Sequence, residues 1–356
     1  MKNDDNKKYN RKNEREIKSK ILAVYDSFIK REHFENGLKG IDCRIKLIEL
    51  DENILWETDE IKEFRGSPEQ LMREIEDTDI LLVHLAPVTK ALIERGKKLK
   101  LIGCCRGGPV NVNVKAALER GITVINTPGR NAIAVAELAI GFIFALARKT
   151  CEDNLLIKEN RMPMEQDFYE GIELYGKTLG IVGFGRVGRE VEKRAIALGM
   201  KVIVFDPYVN TEDIETVSLE KVFKESDFVS VHTRLTEETY GMIDEKLFGL
   251  MKKSAYFINT SRAELVKQEA LERALKEKKI VGAALDVVKL GNKYPVNPLE
   301  FYTYYDGNLE IAKMDNVIIT PHIGGLTREI RQRSVEILAE DVRRFINGNE
   351  VINKVK

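Results

Sequence analysis

Residues 177–209 contain three glycines whose spacing is typical of a phosphate-binding turn. Gly183, Gly185 and Gly188 form a G-x-G-x-x-G pattern that follows the apolar run TLGIV and precedes a helix-length segment. In a dinucleotide-binding turn the first glycine permits the bend, the second admits a pyrophosphate, and the third lets helix and strand pack closely. The helix N-terminus adds free N–H groups and a positive dipole end. The pattern therefore predicts a dinucleotide site.

One acidic residue indicates which dinucleotide this site takes. Asp206 ends the next apolar run, KVIVFD, over residues 201–206. A carboxylate at this position accepts hydrogen bonds from a ribose diol and repels a 2′-phosphate. The sequence therefore predicts NAD, rather than NADP, as the cofactor.

Further polar residues follow the later apolar runs, where the carboxyl ends of parallel strands form the usual ligand edge. Thr233 and Thr236 offer hydroxyls in HTRLTEET, and Asp286 ends GAALD. Arg262 follows a predicted strand and can hold a carboxylate through its bidentate fork. His322, in TPHIGG, is the predicted acid/base, because hydride transfer at a hydroxyl carbon needs a group that titrates near neutrality.

The other three histidines have more ordinary interpretations. His33 lies in a charged stretch and is expected to be solvated. His84 lies in an apolar run, where a core or rim residue is commoner than a catalyst. His232 is expected to turn toward neighbouring backbone near the cofactor.

Composition and charge exclude several classes of function. The 356 residues carry 57 basic and 57 acidic side chains, so no basic field attracts nucleic acid or an anionic membrane. The most apolar run, 132–147, is too short to span a bilayer and contains Glu137, so it predicts a buried helix. Residues 1–18 form a polar tail without the apolar region of a secretory signal.

The cysteines predict neither a metal site nor a disulfide framework. Cys43, Cys104, Cys105 and Cys151 contain no C-x-x-C pair, and the adjacent two would project to opposite faces of a strand. The expectation is a cytoplasmic protein without a bound metal.

Short apolar runs alternate with helix-length segments along the whole chain, which predicts α/β structure with mostly parallel sheets. A helix over about 130–153 and a polar connection separate two series of runs, which suggests two lobes with a cleft between them. A last amphipathic stretch, 327–348, is expected to return to the first lobe. The predicted strands are 20–26, 43–50, 79–85, 99–105 and 121–126, then 178–185, 201–206, 226–232, 255–261, 280–288 and 316–322.

Several ordered blocks resemble one family, the D-isomer-specific 2-hydroxyacid dehydrogenases, which includes 3-phosphoglycerate, glycerate and D-lactate dehydrogenases. The resemblance runs from about residue 20 to the end. It is carried by NTPGRNAIAVAELAIG, GKTLGIVGFGRVG, FDPY, HTRLTEET, INTSRAELV, GAALDVV and MDNVIITPHIGG.

The resemblance implies a two-lobed fold and a homodimer. A flavodoxin-like substrate domain, 19–125 plus 327–356, would enclose an inserted Rossmann NAD-binding domain, 126–326. The segment near 126–155 would contribute to the dimer contact.

The resemblance also implies roles for individual residues. Arg262 would bind the carboxylate and carbonyl oxygen of the substrate, His322 would act as acid/base, and Asp286 would hold the nicotinamide carboxamide. In the first lobe, Arg106, Gly107 and Gly108 would bind substrate, with the glycine N–H groups receiving its carboxylate. The predicted cofactor contacts are Gly183, Gly185, Arg186, Val187, Gly188, Asp206, Thr233, Thr236, Thr260, Ser261, Asp286, Gly324 and Gly325.

The chain departs from the family pattern at the partner of the histidine. Members of the family place a glutamate in an E-P context shortly after the D-V pair, where it hydrogen-bonds the imidazole. This chain has no E-P there; Asn297 is the aligned substitute, and Glu300 and Glu310 are further candidates. An asparagine partner would not favour the protonated imidazole as a carboxylate does.

The leading hypothesis is an NAD-dependent oxidoreductase that interconverts a small (R)-2-hydroxy acid, glycerate-like or sugar-derived, and its 2-keto acid. Arg106, Asn111 and Asn113 favour a polar substrate, but the stretch 83–90 lacks the Ser/Arg of phosphate-handling relatives.

D-3-phosphoglycerate dehydrogenase without a regulatory domain is an alternative, since the chain ends just after its last helix. An NAD(H)-sensing binding protein of the same fold is another, and the missing glutamate mildly favours it.

Overall fold

The structure is a computed structural model that describes residues 19–54, 56–165, 169–209, 214–295 and 298–356, with backbone only at 298–299. Its chain divides into two compact units: a first unit that ends at Arg130 and resumes over Arg328–Lys356, and a second unit, Asn131–Thr327. The domain boundaries predicted from the sequence, 125/126 and 326/327, stay a prediction.

The first unit is built on a five-stranded parallel sheet of order β2-β1-β3-β4-β5. This is the flavodoxin-like order, which places the carboxyl ends of all the strands at one edge. Its elements are β1 (Lys20–Tyr25), α1 (Arg31–Gly37), β2 (Arg44–Glu49), β3 (Ile80–Val83), α2 (Lys90–Arg95), β4 (Leu101–Cys104), α3 (Val114–Glu119), β5 (Thr123–Ile125) and α11 (Arg328–Ile346).

The last helix packs on this sheet, as the amphipathic stretch predicts. Val335, Leu338 and Val342 of α11 are fully buried in one cluster with Ile21 of β1. Gly37 of α1 permits a close helix crossing, because a Cβ there would lie 2.7 Å from a methyl of Val335. The two ends of the chain therefore build one core.

The second unit contains a seven-stranded parallel sheet of order β12-β11-β10-β9-β6-β7-β8. Counted from β6, its strands take the order 3-2-1-4-5-6 of dinucleotide-binding sheets, extended by a seventh strand. Its elements are α4 (Ala132–Ala147), α5 (Thr150–Lys158), β6 (Thr178–Val182), α6 (Arg186–Ala197), β7 (Lys201–Phe205), β8 (Glu215–Thr216), α7 (Leu219–Glu225), β9 (Phe228–Val231), α8 (Glu245–Leu250), β10 (Tyr256–Asn259), α9 (Gln268–Lys276), β11 (Gly282–Leu285), α10 (Pro298–Tyr304) and β12 (Val317–Ile319).

The predicted helix over 130–153 is wrong in one respect, because it is two helices. Lys149 takes a left-handed backbone conformation, with φ at 51°, and separates α4 from α5. Ala136, Ala139 and Ile143 of α4 are fully buried, as the apolar run predicts. In the part of the chain that is described, no helix has both the length and the apolar character needed to cross a bilayer.

Candidate active site

The glycine turn lies between β6 and α6, at the point where the strand order of the second sheet reverses. Gly183 has φ at +95°, and a Cβ on it would lie 2.6 Å from the backbone nitrogen of Thr233. Gly185 caps α6 and has open space where a Cβ would stand. A Cβ on Gly188 would lie 2.3 Å from the carbonyl oxygen of Gly183. The turn therefore bends, leaves room and packs closely at the three positions that the spacing predicts.

Asp206 follows β7 and ties that strand end to the glycine turn. Its Oδ2 accepts a hydrogen bond from the backbone N–H of Phe184 at 2.7 Å, and its Oδ1 accepts one from Tyr208 at 2.9 Å. An ionised carboxylate has about four acceptor sites, so two are left for a ligand. The half-buried carboxylate is held in place by these two bonds, and its contact with a ribose diol stays a prediction.

Arg186 and Val187, the other predicted contacts of the turn, begin α6. Arg186 is exposed and Val187 is half-buried. They are the first two residues of α6, and the backbone N–H groups of this first turn have no helical partner.

The loop after β10 is shaped by a residue that the sequence analysis missed. Asn259, which is 1% exposed, accepts from the backbone N–H of Ser261 at 3.0 Å and donates to the carbonyl of Arg262 at 2.9 Å. The hydroxyl of Ser261 donates to the carbonyl of Thr233 at 2.6 Å, which joins this loop to the one after β9. Asn259 could have been suspected from its place at a strand end beside the arginine.

Arg262 itself is exposed, and its guanidinium donates to the carbonyl of Ser261 at 2.8 Å. Among the described residues no carboxylate forms an ion pair with it. Its fork therefore has donors left for an external anion.

The threonines of the predicted site have different roles. The hydroxyl of Thr236 faces that of Thr239 at 3.2 Å within its own turn. Thr260 is buried and faces Nδ1 of His232 at 3.5 Å. Thr233 contributes its backbone to the glycine turn. Contact of these residues with a cofactor stays a prediction.

His232 differs from its prediction. Its ring contacts hydroxyl groups rather than backbone: Nε2 lies 2.8 Å from Oγ of Ser230, in addition to the contact with Thr260. Burial lowers the pKa of His232 to about 3. It is therefore a neutral side chain that supports the strand end.

Asp286 organises the loop that carries the predicted acid/base. It is 1% exposed, and its carboxylate accepts from the hydroxyl of Thr320 at 2.6 Å and from the backbone N–H groups of Ile323 and Gly324, each at 2.7 Å. Burial raises the pKa of Asp286, and the three donors and the nearby His322 oppose that rise. Gly324 and Gly325 therefore lie in a loop fixed by Asp286, a role that the resemblance does not imply.

His322 is held by backbone on two sides. Its φ of 55° is left-handed, which is uncommon for a residue with a side chain, and its N–H donates to the carbonyl of Asp286 at 2.9 Å. Nδ1 lies 3.1 Å from the carbonyl oxygen of Pro295. Because a carbonyl can only accept, Nδ1 carries the proton, and Nε2 is the nitrogen that remains for a ligand.

Of the three predicted partners of the imidazole, only Glu310 can be assessed from its described contacts. Asn297 lies outside the described residues. Glu310 is exposed and pairs with Lys313 at 2.9 Å. Glu300 lies on α10, and its pairing with the imidazole stays a prediction. The described partner of Nδ1 is thus a backbone carbonyl, and the residue that replaces the glutamate of the family stays a prediction.

Arg262, Asp286 and His322 follow three adjacent strands, β10, β11 and β12. Neighbouring strands lie about 4.8 Å apart, so the ends of the outer two are separated by about 10 Å. That a small acid in front of the middle strand meets both the guanidinium and the imidazole stays a prediction. The metal-ligating residue types form no group of three or more in the described ranges.

The predicted substrate loop belongs to the first unit. Arg106 pairs with the carboxylate of Glu63 and donates to its carbonyl at 2.9 Å. Gly107 and Gly108 have no atom within 4 Å of where a Cβ would stand, and neither backbone N–H donates to another described residue. The loop therefore offers open N–H groups.

Comparison with known proteins decides the family. The family model described as D-isomer specific 2-hydroxyacid dehydrogenase, NAD binding domain, matches residues 140–324. A glyoxylate reductase of Thermococcus litoralis is 38% identical over 342 residues, which cover 92% of this chain and 96% of that one. The chain belongs to the D-isomer-specific 2-hydroxyacid dehydrogenases.

Two further relatives of this family place the chain within it. A D-3-phosphoglycerate dehydrogenase of Methanocaldococcus jannaschii is 39% identical over 85% of this chain, but the match spans only 56% of that longer protein. The NAD-complexed structure of a D-isomer specific 2-hydroxyacid dehydrogenase from Lactobacillus delbrueckii ssp. bulgaricus superimposes with a TM-score of 0.79 at 26% identity, covering 95% of this chain and 100% of that one. The predictions of the family, of the two-lobed α/β fold and of NAD are confirmed.

The residues of the dehydrogenase fit NAD. The open space beside Gly185, the N-terminus of α6 and the remaining acceptor sites of Asp206 match a pyrophosphate followed by a ribose diol. Any side chain at 185 would fill part of this cradle.

Proposed function

We propose that the protein interconverts a small polar (R)-2-hydroxy acid and its 2-keto acid with NAD as the redox partner. The observation that carries the proposal is the arrangement after β10 to β12. Two residues follow strands that end at the same sheet edge: an arginine that pairs with no carboxylate in the described ranges, and a histidine whose Nδ1 proton is fixed by the carbonyl of Pro295.

Arg262 and His322 have separate roles in the proposed reaction. Arg262 holds the carboxylate of the substrate and polarises its carbonyl oxygen, which requires the donors that the fork has left. When bound, NAD supplies the hydride acceptor, or in the reverse direction NADH supplies the hydride. His322 gives the proton at Nε2 to the developing alkoxide in keto-acid reduction and takes it back in oxidation. The bond from Nδ1 to Pro295 persists in both protonation states.

The proposed substrate class is supported by the names of two relatives and by the open loop of the first unit. Two relatives carry the names glyoxylate reductase and D-3-phosphoglycerate dehydrogenase, which are compatible with a short acid. In the first unit, the open N–H groups of Gly107 and Gly108, beside Arg106, support the proposal that this loop binds the substrate.

A coupled assay tests the proposal. NADH oxidation is followed with glyoxylate, hydroxypyruvate, pyruvate, phosphohydroxypyruvate and longer sugar-derived keto acids, using NADPH as the matched control for cofactor choice. We expect turnover with at least one short polar acid and a preference for NADH. Binding of NADH without oxidation by any acid of the panel would contradict the proposal and favour an NAD(H)-sensing protein.

We further propose a cytoplasmic homodimer. Apolar side chains of α4 and α5 are exposed within the second unit: Phe144, Leu155 and Ile157 are 42%, 50% and 61% exposed. A second copy that covers this face would remove them from water. Light scattering should give twice the chain mass, and a monomer at micromolar concentration would contradict this.

A further inference from the structure

Three arginines of the first unit lie together without an acidic partner. Arg130 follows β5, and Arg331 and Arg333 lie in the first turns of α11. Within the described ranges, none of the three forms an ion pair with a carboxylate. Half-buried guanidinium groups without a counter-charge are unfavourable, because burial removes water without supplying an anion.

Two of these guanidiniums share one aromatic ring. The central carbons of Arg130 and Arg331 lie 5.8 Å and 5.0 Å from the ring centre of Phe28, which itself stacks on His84 at 5.0 Å. Arg130 also donates to the hydroxyl of Ser334 at 3.3 Å. Ser334 is three residues after Arg331, so both lie on one face of α11.

Two buried polar atoms in the segments that carry these arginines have no hydrogen-bond partner among the described residues. Nε of Arg331 is buried and has no hydrogen-bond acceptor among the described residues, and the buried hydroxyl of Thr127 has no partner either. Buried donors are nearly always paired in folded proteins, so an unpaired guanidinium nitrogen suggests a missing acceptor. Burial lowers the pKa of Arg130, and the charge of Arg106 adds to this. Both effects indicate uncompensated positive charge.

Asp26, a carboxylate whose charge acts on Arg130, already accepts four hydrogen bonds from other groups. Oδ1 of Asp26 accepts from the backbone N–H groups of Phe28 and Ile29, at 2.9 Å and 2.7 Å. Its Oδ2 accepts from Nδ1 of His84 at 2.9 Å and from the N–H of Leu85 at 3.1 Å. Four accepted bonds fill the capacity of a carboxylate. Asp26 therefore fixes Phe28 and His84, and although its charge acts on Arg130, no carboxylate among the described residues forms an ion pair with Arg130 or Arg331.

The arginines adjoin the proposed substrate loop within the first unit. The N–H of Thr127 donates to the carbonyl of Arg106 at 2.9 Å, and the amide of Asn126 donates to the carbonyl of Gly107 at 2.8 Å. The segment that leads to Arg130 is thus hydrogen-bonded to the loop that offers open N–H groups.

Resting on the proposed function, we propose that Arg130 and Arg331 form a subsite for a second anionic group of the substrate, a carboxylate or a phosphate remote from the reacting carbon. The preferred substrate is then a dianionic 2-hydroxy acid. An acid whose remote end carries only hydroxyl groups leaves the two guanidiniums unpaired.

Substrate kinetics test this subsite. KM and kcat are compared for oxaloacetate and phosphohydroxypyruvate, which carry a second anion, and for hydroxypyruvate, which does not. Arg331→Gln and Arg130→Gln should each raise KM for the favoured dianionic acid about ten- to a hundredfold, and change KM for hydroxypyruvate less than about twofold. Whichever dianionic acid is favoured in the wild type distinguishes a carboxylate from a phosphate.

Arg344→Gln is the matched control, because Arg344 lies on the same helix and pairs with Glu340 at 3.1 Å. It should leave every KM unchanged. Arg331→Lys keeps the charge but loses the fork, so it should give an intermediate KM. Equal KM changes for hydroxypyruvate and for the dianionic acids would overturn the subsite.

A binding measurement separates this inference from the proposed function. Inorganic phosphate or succinate is added to the NADH-loaded protein and the Tm is measured. The wild type and Arg344→Gln should gain stability, whereas Arg331→Gln should not. If the Tm shift depends on Arg331 and no keto acid is reduced, the anion site stands and the proposed function fails. If keto acids are reduced without preference for a second anion and neither probe shifts the Tm, the subsite is wrong and the function stands.

Discussion

The backbone carbonyl of Pro295 accepts the Nδ1 proton of His322, whereas the family resemblance implies a carboxylate partner. The carbonyl of Pro295 fixes the ring and its Nδ1 proton but carries no full charge. It also cannot be titrated, so it orients the imidazole in the same way at every pH. The left-handed backbone at His322, stabilised by the bond to Asp286, presents the ring from a strained position.

Replacing this histidine should separate chemistry from binding. His322→Asn keeps a residue type that tolerates the left-handed conformation but removes the proton carrier. We expect kcat to fall about 10²- to 10⁴-fold while the Kd for NADH stays within about threefold. Stopped-flow turnover and fluorescence titration measure the two quantities. His33→Asn, a change on α1, is the control, and a kcat of His322→Asn near that of the control would contradict the assignment.

The functional side chains at the strand ends could be predicted from the sequence, whereas the groups that hold them in place could not. Arg262 and His322 stand out because each follows an apolar run that must end at the ligand edge. The carbonyl of Pro295 has no signal in the sequence, because every residue carries a carbonyl and only the path of the chain brings this one to the ring. Asn259 was missed because asparagine is also common in ordinary turns.

The glycine turn works as one element of strand, loop and helix. A Cβ on Gly188 would meet the carbonyl oxygen of Gly183 and a Cβ on Gly183 would meet the backbone of Thr233, while Gly185 leaves the space that a pyrophosphate needs. Strand β6 and helix α6 are therefore set at a distance that no side chain at 188 would permit. The cofactor cradle depends on this packing as well as on the free N–H groups.

A single methyl group should disrupt this element. Gly188→Ala places a Cβ 2.3 Å from the carbonyl oxygen of Gly183, so strand and helix must separate. We expect a loss of about 1–3 kcal/mol in the free energy of unfolding and at least a tenfold weaker Kd for NADH. Gly249→Ala on α8, where a Cβ meets no atom within 4 Å, is the control and should be neutral or stabilising. Equal NADH affinity in the two variants would contradict this account.

The elements themselves were mostly predictable from alternating apolar runs and helical segments. The five runs of the first series match β1 to β5, and the six of the second match all strands of the second sheet except β8. Strand β8 is two polar, exposed residues and has no apolar pattern to read. The break at Lys149 was missed because no glycine or proline marks it.

The whole molecule combines two parallel sheets, each with its own buried core. Two histidines beside these cores remain uncharged: His84 is buried in the first unit, and His232 is half-buried just after β9 in the second. Burial lowers the pKa of His232 to about 3 and also lowers that of His84, although Asp26 opposes the second shift. Because both folded-state values lie below the unfolded value, the unfolded chain binds more protons in weak acid. Their stabilising contribution is complete above about pH 6.5 and is lost as the pH falls.

Acid should therefore destabilise the protein in a way that depends on His232. Between pH 6.5 and pH 5 this residue alone should cost about 2 kcal/mol of the free energy of unfolding. Urea unfolding at a series of pH values measures the slope. In His232→Gln, the loss of unfolding free energy between pH 6.5 and pH 5 should be smaller by about 2 kcal/mol. The loss that remains should come from His84 and other groups. Identical slopes for the variant and the wild type would show that His232 is charged or exposed in the folded state.

In the proposed reaction, a hydride passes between NADH and C2 of a keto acid, and His322 supplies the proton. The most direct test uses NADH with deuterium at both C4 positions and the best keto acid of the panel other than glyoxylate, whose unlabelled product has no stereocentre, followed by mass spectrometry and chiral analysis of the product. We predict an (R)-2-hydroxy acid with one deuterium at C2 and no such product from His322→Asn on the same time scale. A product without deuterium, an (S)-hydroxy acid, or unaltered keto acid beside tightly bound NADH would contradict it.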